Sequence, residues 1–207
     1  ALVLTTSAVR IGLLAVAAGI LGAAFGMPRP AAVAPMHMVP APTRATAAMA
    51  DEQARKTASV VFAGGCFWGV QGVFQHVRGV TRAESGYAGG RDAGAANYAA
   101  VSTGRTGHAE AVRVEYDPQQ VSYAQLMQVF FSVVHDPTQR DRQGPDHGTQ
   151  YRSAVFVSTP AQARATRAYL AELDRAGSFP APIVTQVATD VAFHPAERYH
   201  QDYLVNN

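Results

Sequence analysis

The sequence predicts a two-layer α/β (α+β) sandwich: a mixed sheet with a split βαβ, ferredoxin-like core and helices packed on it. Strand-like and helix-like segments alternate from residue 59 to residue 204, and two pairs of strand segments are hairpin-like neighbours. The 207 residues, 48% of them hydrophobic, are enough for one well-packed domain with extensions, whereas two full domains would be crowded. No internal repeat is present.

Ser59 to Ala63 is a β-branched and aromatic run that stops sharply at Gly64-Gly65, as a strand does. Val70, Val73, Phe74 and Val77 then recur at helical spacing, which predicts a helix beginning at or just after Cys66 and closed by Gly79. Thr81 to Tyr87 reads as a strand, and Ala88 to Gly107 as a Gly- and Ala-rich loop carrying Tyr98. From His108 to Tyr116 residues alternate, with Val112, Val114 and Tyr116 on one face and Arg113 and Glu115 on the other. Glu110 shares the parity of the apolar face, where an ionised carboxylate is costly unless it is protonated or hydrogen-bonded.

Ser122 to Gln125 has capping-box spacing and opens an amphipathic helix running to about His135, where Asp136-Pro137 ends it. A polar loop, Thr138 to Arg152, leads to a strand from Ser153 to Ser158. Thr159-Pro160-Ala161-Gln162 is a second capping box and starts a helix that Gly177 stops. Ile183 to Val187 reads as the last strand and Pro195 to Leu204 as a terminal helix.

The formal net charge is +2, and although sixteen of the seventeen basic residues are arginine, no run of like charges forms a basic stripe. That argues against a nucleic-acid partner. Cys66 is the single cysteine, which excludes an intramolecular disulfide and a cysteine-rich zinc site within these residues, and no metal is expected.

Residues 1–27 read as a signal peptide or N-terminal membrane anchor, because Arg10 precedes the apolar stretch Ile11 to Met27. The stretch is slightly shorter than the roughly 20 residues that span a bilayer, so cleavage and anchoring both stay open. Ala24-Phe25-Gly26 and Ala48-Met49-Ala50 are candidate cleavage sites. Residues 28–58, with prolines among alanines, read as an extended linker, and residues 59–207 as the catalytic domain. The expected location is the bacterial periplasm or cell envelope, or the cytoplasm if the N-terminal segment is not used as a signal.

The run Gly65-Cys66-Phe67-Trp68-Gly69 places the single cysteine beside the single tryptophan. A cysteine between a strand end and a helix start lies near unpaired N–H groups, which is expected to lower its pKa and favour a nucleophilic thiolate. A buried Glu110 would have a raised pKa and donate a proton near neutral pH. Phe67 and Trp68 read as core or as a pocket wall, with spacing alone favouring core. Gly144 to Ser153 is rich in hydrogen-bonding side chains, and Tyr87, Tyr98 and Tyr151 are phenols able to meet a polar substrate oxygen.

These blocks, GGCFWGV at 64–70, SGYAGG at 85–90, TGHAEAVRVEYDP at 106–118 and GPDHGTQYRSAVF at 144–156, resemble the peptide methionine sulfoxide reductase A family in their order. The resemblance implies reduction of the S epimer of methionine sulfoxide, free or in oxidised proteins and peptides. It implies Cys66 as nucleophile, Phe67 and Trp68 as the pocket for the sulfoxide methyl group, and Glu110 as the acid that protonates the oxygen. Tyr98, Asp146 and Tyr151 would complete the binding site. Attack would leave Cys66 as a sulfenic acid.

Many members of that family recycle this cysteine with a second one near the C-terminus. The sequence here ends without one, so an external reductant is expected: thioredoxin, glutaredoxin or a small thiol, with no bound cofactor. Family analogy makes the protein a monomer. Two other readings of the residues are a cysteine acyl hydrolase with His108 or His147 as base, and a non-catalytic module that binds oxidised methionine.

Overall fold

The structure, a computed structural model, describes residues 38–43, 52 and 54–207. All of these belong to one compact unit, Ala31–Asn207. The predicted signal or anchor segment and the rest of the predicted linker lie outside the described residues. Among the described residues no helix is long and apolar enough to cross a membrane.

The elements in chain order are β1 (Ala58–Gly64), α1 (Phe67–Gln75), β2 (Val80–Ala88), the one-turn helix α2 (Tyr98–Val101) and β3 (Ala109–Tyr116). Then come α3 (Tyr123–Val129) with a π-helical turn over Phe130–Val134, the short hairpin β4 (Arg142–Gln143) and β5 (Asp146–His147), and β6 (Ser153–Val157). α4 (Pro160–Arg175), β7 (Gln186–Thr189), β8 (Phe193–Pro195) and α5 (Tyr203–Asn206) complete the chain.

The main sheet runs β7-β6-β1-β3-β2-β8. β3 lies between β1 and β2 and is antiparallel to both, so β1-α1-β2 is a parallel unit split by β3. β1 in turn separates β3 from β6, and the parallel pair β6–β7 makes the sheet mixed. This is the predicted split βαβ core.

Its main core lies between sheet and helices, where Phe62 of β1 stacks on Phe74 of α1 at 4.8 Å and on Phe130 at 4.6 Å. Large apolar residues at strand and helix periods make that packing, and each fully buried one contributes roughly 1.5–3 kcal/mol. A smaller cluster of alanines with Phe156 is buried apart from it, and the partly buried Phe193 packs against it.

Ser122 and Gln125 form a reciprocal capping box, as predicted. At the second site only half of one forms: Thr159 accepts the N–H of Gln162, but the Gln162 side chain accepts from Ser158 and donates to Glu52 and Ser59. Tertiary partners outcompete the local one.

Four expectations differ from the structure. The predicted loop Ala88 to Gly107 contains the one-turn helix α2, whose N-cap Asn97 accepts from the Ala100 N–H. The helix after Cys66 ends at Gln75, before Gly79, which lies in the turn that follows it with a positive φ of 94°. The strand expected at Ile183 to Val187 lies at Gln186–Thr189. The expected terminal helix from Pro195 to Leu204 is instead the end of β8, a 3-10 turn at Arg198–His200 and a helix that begins only at Tyr203. β2 offers an unpaired backbone edge to Phe193–Pro195, a partner that periodicity cannot reveal. Gly86 permits this pairing, since a Cβ there would collide with the His194 carbonyl and the Phe193 ring.

The predicted linker is docked where it is described. Val39 is 1% exposed; its N–H donates to Ser132 and its carbonyl accepts from Gln128. The Tyr169 hydroxyl donates to the Pro40 carbonyl at 2.6 Å. Glu52 is buried and accepts from Tyr116 and Gln162. Composition reads as a spacer here because one valine entering a distant core leaves no local pattern.

Candidate active site

β1 ends in Gly64-Gly65 and hands the chain directly to α1, with Cys66 as the N-cap residue. Gly65 has φ 95°, and a Cβ there would lie 2.8 Å from Gln143, so only glycine allows this abrupt turn. The N–H groups of Trp68 and Gly69 reach the Cys66 sulfur, as expected for a helix N-terminus. Their effect is outweighed. Burial, assisted by the negative charges of Glu110 and Asp146, pushes the thiol up to about 11, which overturns the expectation of a lowered pKa.

Glu110 is on β3, directly across from Tyr87 of β2, and is 3% exposed. The alternation that gave it the parity of the core face places it as predicted. Burial pushes its pKa up to about 7, against the opposing Phe67 N–H bond and with help from Asp146. That hydrogen bond, from Phe67 N to Glu110 Oε2 at 3.0 Å, joins the carboxyl to the residue that follows the thiol.

Asp146, on β5, and Tyr151, in the 3-10 turn Thr149–Tyr151, come from the polar loop. Burial and then the charges of Glu110, Asp146 and Cys66, with Tyr98 beside them, push the Tyr151 phenol up to about 12. The structure thus brings Cys66, Glu110, Tyr98, Asp146 and Tyr151 within electrostatic reach of one another.

The two aromatics of the motif divide. Phe67 is fully buried against Tyr87 and His200. Trp68 is half-buried, stacks on Tyr203 at 3.7 Å and donates from Nε1 to His200 Nδ1 at 3.2 Å. Trp68 is therefore the member of the pair that presents surface, with Phe67 packed into the core.

Residues that sequence reasoning missed lie in the C-terminal segment. Glu197 accepts the Tyr87 hydroxyl at 2.8 Å and the Tyr98 N–H at 2.9 Å, so it fixes the start of α2. Burial opposes its charge, but these hydrogen bonds hold its pKa below the ordinary glutamate value. His200 is 2% exposed, and burial pushes its pKa down. Accepting at Nδ1 puts the proton of the neutral ring on Nε2, which is buried without a partner among the described residues. Only the aromatic spacing of this segment could have flagged it.

His108 is not placed as a base, because Gly90 N–H donates to Nδ1 and Nε2 meets the Asp92 carbonyl at 2.9 Å. His147 is exposed on β5. Among the described residues no group of three or more His, Cys, Asp or Glu side chains could hold a metal ion.

A split βαβ sheet that sets a partly buried thiol near a carboxyl whose pKa is raised to about 7 is an arrangement suited to an enzyme that couples thiol attack to proton transfer. The family model for peptide methionine sulfoxide reductase matches residues 58–207. A peptide methionine sulfoxide reductase MsrA 2 of Mesorhizobium japonicum is 55% identical over 159 residues, 77% of this chain and 81% of that protein. The Deinococcus radiodurans MsrA is 49% identical over 147 residues, 71% of this chain and 70% of that one. Among solved structures, methionine sulfoxide reductase A of Corynebacterium diphtheriae is similar with a TM-score of 0.63 at 36% identity, over 75% of this chain and 77% of that one. Reduced Mxr1 from Saccharomyces cerevisiae matches with a TM-score of 0.65 at 33% identity, over 73% and 86%. The chain belongs to the peptide methionine sulfoxide reductase A family, and it is an oxidoreductase that reduces methionine sulfoxide.

Proposed function

We propose that Cys66 attacks the sulfur of methionine sulfoxide while Glu110 delivers a proton to its oxygen. The observation that carries this is the hydrogen bond from Phe67 N to Glu110 Oε2, which holds a carboxyl titrating at about 7 next to the thiol. Above about pH 7 the pair holds one proton, mainly on sulfur, because burial holds the thiol pKa above that of the acid. Moving it to the carboxyl is uphill. That shift creates the soft nucleophile and the neutral acid together, as the poor leaving group requires.

The Cys66 sulfur bonds to the substrate sulfur, and the sulfoxide oxygen takes the Glu110 proton. The hydroxyl then passes to the Cys66 sulfur as the substrate S–O bond and the new S–S bond break, giving methionine and a cysteine sulfenic acid; substrate sulfur is reduced by two electrons and Cys66 is oxidised by two. Asp146, Tyr98 and Tyr151 hold the polar end of the substrate. Trp68, backed by Phe67, gives the methyl group an apolar wall and so selects the S epimer.

Cys66 is the one cysteine of these 207 residues, so two thiol equivalents from outside them return the sulfenic acid to the thiol. The first releases water and forms a mixed disulfide, and the second displaces Cys66 from it. A thioredoxin-like protein, a glutaredoxin or a small thiol fills this role. An envelope location is supported by Arg10 ahead of Ile11 to Met27, and mass spectrometry of the mature N-terminus tests it.

Single turnover tests the chemistry. Without reductant the protein is expected to release one methionine per Cys66. A burst that survives Cys66→Ser overturns the assignment, and binding without product restores the non-catalytic reading.

A further inference from the structure

The large exposed apolar side chains of the described residues are Met38, Tyr98, Tyr199, Leu204 and Val205. Apart from Met38, they belong to α2 and the C-terminal segment, which meet at His200, the acceptor of the Trp68 indole N–H. Tyr98 is 36% and Tyr199 66% exposed. Their ring centroids lie 4.4 and 4.2 Å from that of buried His200, tilted by 47° and 48°. His200 bonds to Trp68, and Trp68 stacks flat on Tyr203 at 3.7 Å. The rings form one strip, Tyr199, Tyr98, His200, Trp68 and Tyr203, that begins two residues after the nucleophile.

Tyr199 has no part in the proposed reaction, yet it keeps an aromatic face in water. Rings left wet beside a pocket are characteristic of recognition surfaces, where they supply large contact area at low entropy cost. Side chains two residues apart on an extended chain share a face and lie about 6.5–7 Å apart. A polypeptide whose oxidised methionine enters the site therefore presents a side chain two residues away to the same surface, whereas a free amino acid has nothing to place there.

We propose that Tyr199, with Tyr98, forms a docking strip for an apolar side chain two residues from methionine sulfoxide in an extended polypeptide, so that the enzyme prefers oxidised methionines with an apolar residue at that spacing. The proposal rests on the reading of Cys66 as the reacting thiol. Continuity of the strip with the substrate wall at Trp68 selects a polypeptide substrate as its occupant over the reductant.

The test compares single-turnover efficiency, without reductant, on free methionine sulfoxide, a peptide with leucine two positions to either side of the sulfoxide, and the same peptide with glycine there. The leucine peptide is expected to exceed the glycine peptide by about ten-fold through a lower half-saturation concentration. Tyr199→Ala brings that ratio to within about two-fold, and Tyr199→Phe keeps it. Equal efficiency on the two peptides, or a ratio untouched by Tyr199→Ala, overturns the strip while leaving Cys66 chemistry intact. A Tyr199→Ala defect seen only in multiple turnover assigns the surface to the reductant and also overturns it. If the unaltered protein reduces none of the three substrates, the reading of Cys66 falls, and the strip with it.

Discussion

The main-chain N–H of Phe67 donates a 3.0 Å hydrogen bond to Oε2 of Glu110, across 43 positions of sequence. α1 supplies the donor at its first residue, where helical N–H groups lack partners, and β3 supplies a carboxyl buried on the core face. Each element satisfies a need of the other. The bond holds the acid beside the thiol without ionising it, since burial outweighs the bond and keeps the pKa near 7.

Glu110→Gln keeps the shape and removes the acid, so single-turnover reduction is expected to fall about 10²–10⁴-fold at neutral pH. Its pH profile carries the stronger signature. The productive form has the proton on Glu110 and none on Cys66, so kcat/KM of the parent rises up to about pH 7 and is then level towards about 11. The variant follows the thiolate alone and rises about ten-fold per pH unit through that window. A break near pH 7 that persists in the variant assigns the acid to another group.

The same substitution is expected to stabilise the fold at high pH. An unfolded glutamate titrates near 4.5 and folded Glu110 at about 7, so the native state binds more protons between them. Stability from this group is complete below 4.5 and is lost as pH rises through 7. Urea unfolding should place Glu110→Gln above the parent by about 3 kcal/mol at pH 8 and close to it at pH 4. An equal difference at both values would contradict the burial argument.

His200 is expected to act as a positioning residue for Trp68, which is the single tryptophan and so reports its own surroundings by fluorescence. His200→Phe retains the packing but leaves the indole N–H without its acceptor, at a cost of about 1–3 kcal/mol. The emission should change, and KM should rise more than kcat falls. Because burial lowers the His200 pKa, the parent emission should titrate below the ordinary histidine value of 6.5. Emission unaffected by both substitution and acid would remove His200 from this role.

Gly65→Ala and Gly69→Ala should differ in sign. At Gly65 the added methyl meets Gln143 and φ is positive, so stability falls by about 1–3 kcal/mol and Cys66 is displaced. At Gly69, within α1, nothing lies within 4 Å, and alanine should raise stability by up to about 1 kcal/mol. Thermal unfolding of the two variants separates backbone strain from a general intolerance near the thiol.

Much of the site was legible because its signals are local. Gly64-Gly65 before Cys66 announces a strand that stops at a helix, and the period-two parity of Glu110 with Val112, Val114 and Tyr116 announces a buried carboxyl. The C-terminal segment was not legible. Glu197 and His200 acquire their roles only by meeting Tyr87, Tyr98 and Trp68, from elements roughly a hundred residues away, and Phe193–Pro195 becomes a strand only because β2 has a free edge.

The sequence by itself singled out Cys66 and Glu110 as the candidate nucleophile and acid and set the order of the elements, because residue type, spacing and parity carry that information within a few positions. Tertiary structure alone decided the protonation states. The helix N-terminus argues for a reactive thiolate at Cys66, yet burial beside Glu110 and Asp146 pushes the thiol to about 11 and the acid to about 7. Desolvation depends on everything packed around a group, and no local pattern contains that sum.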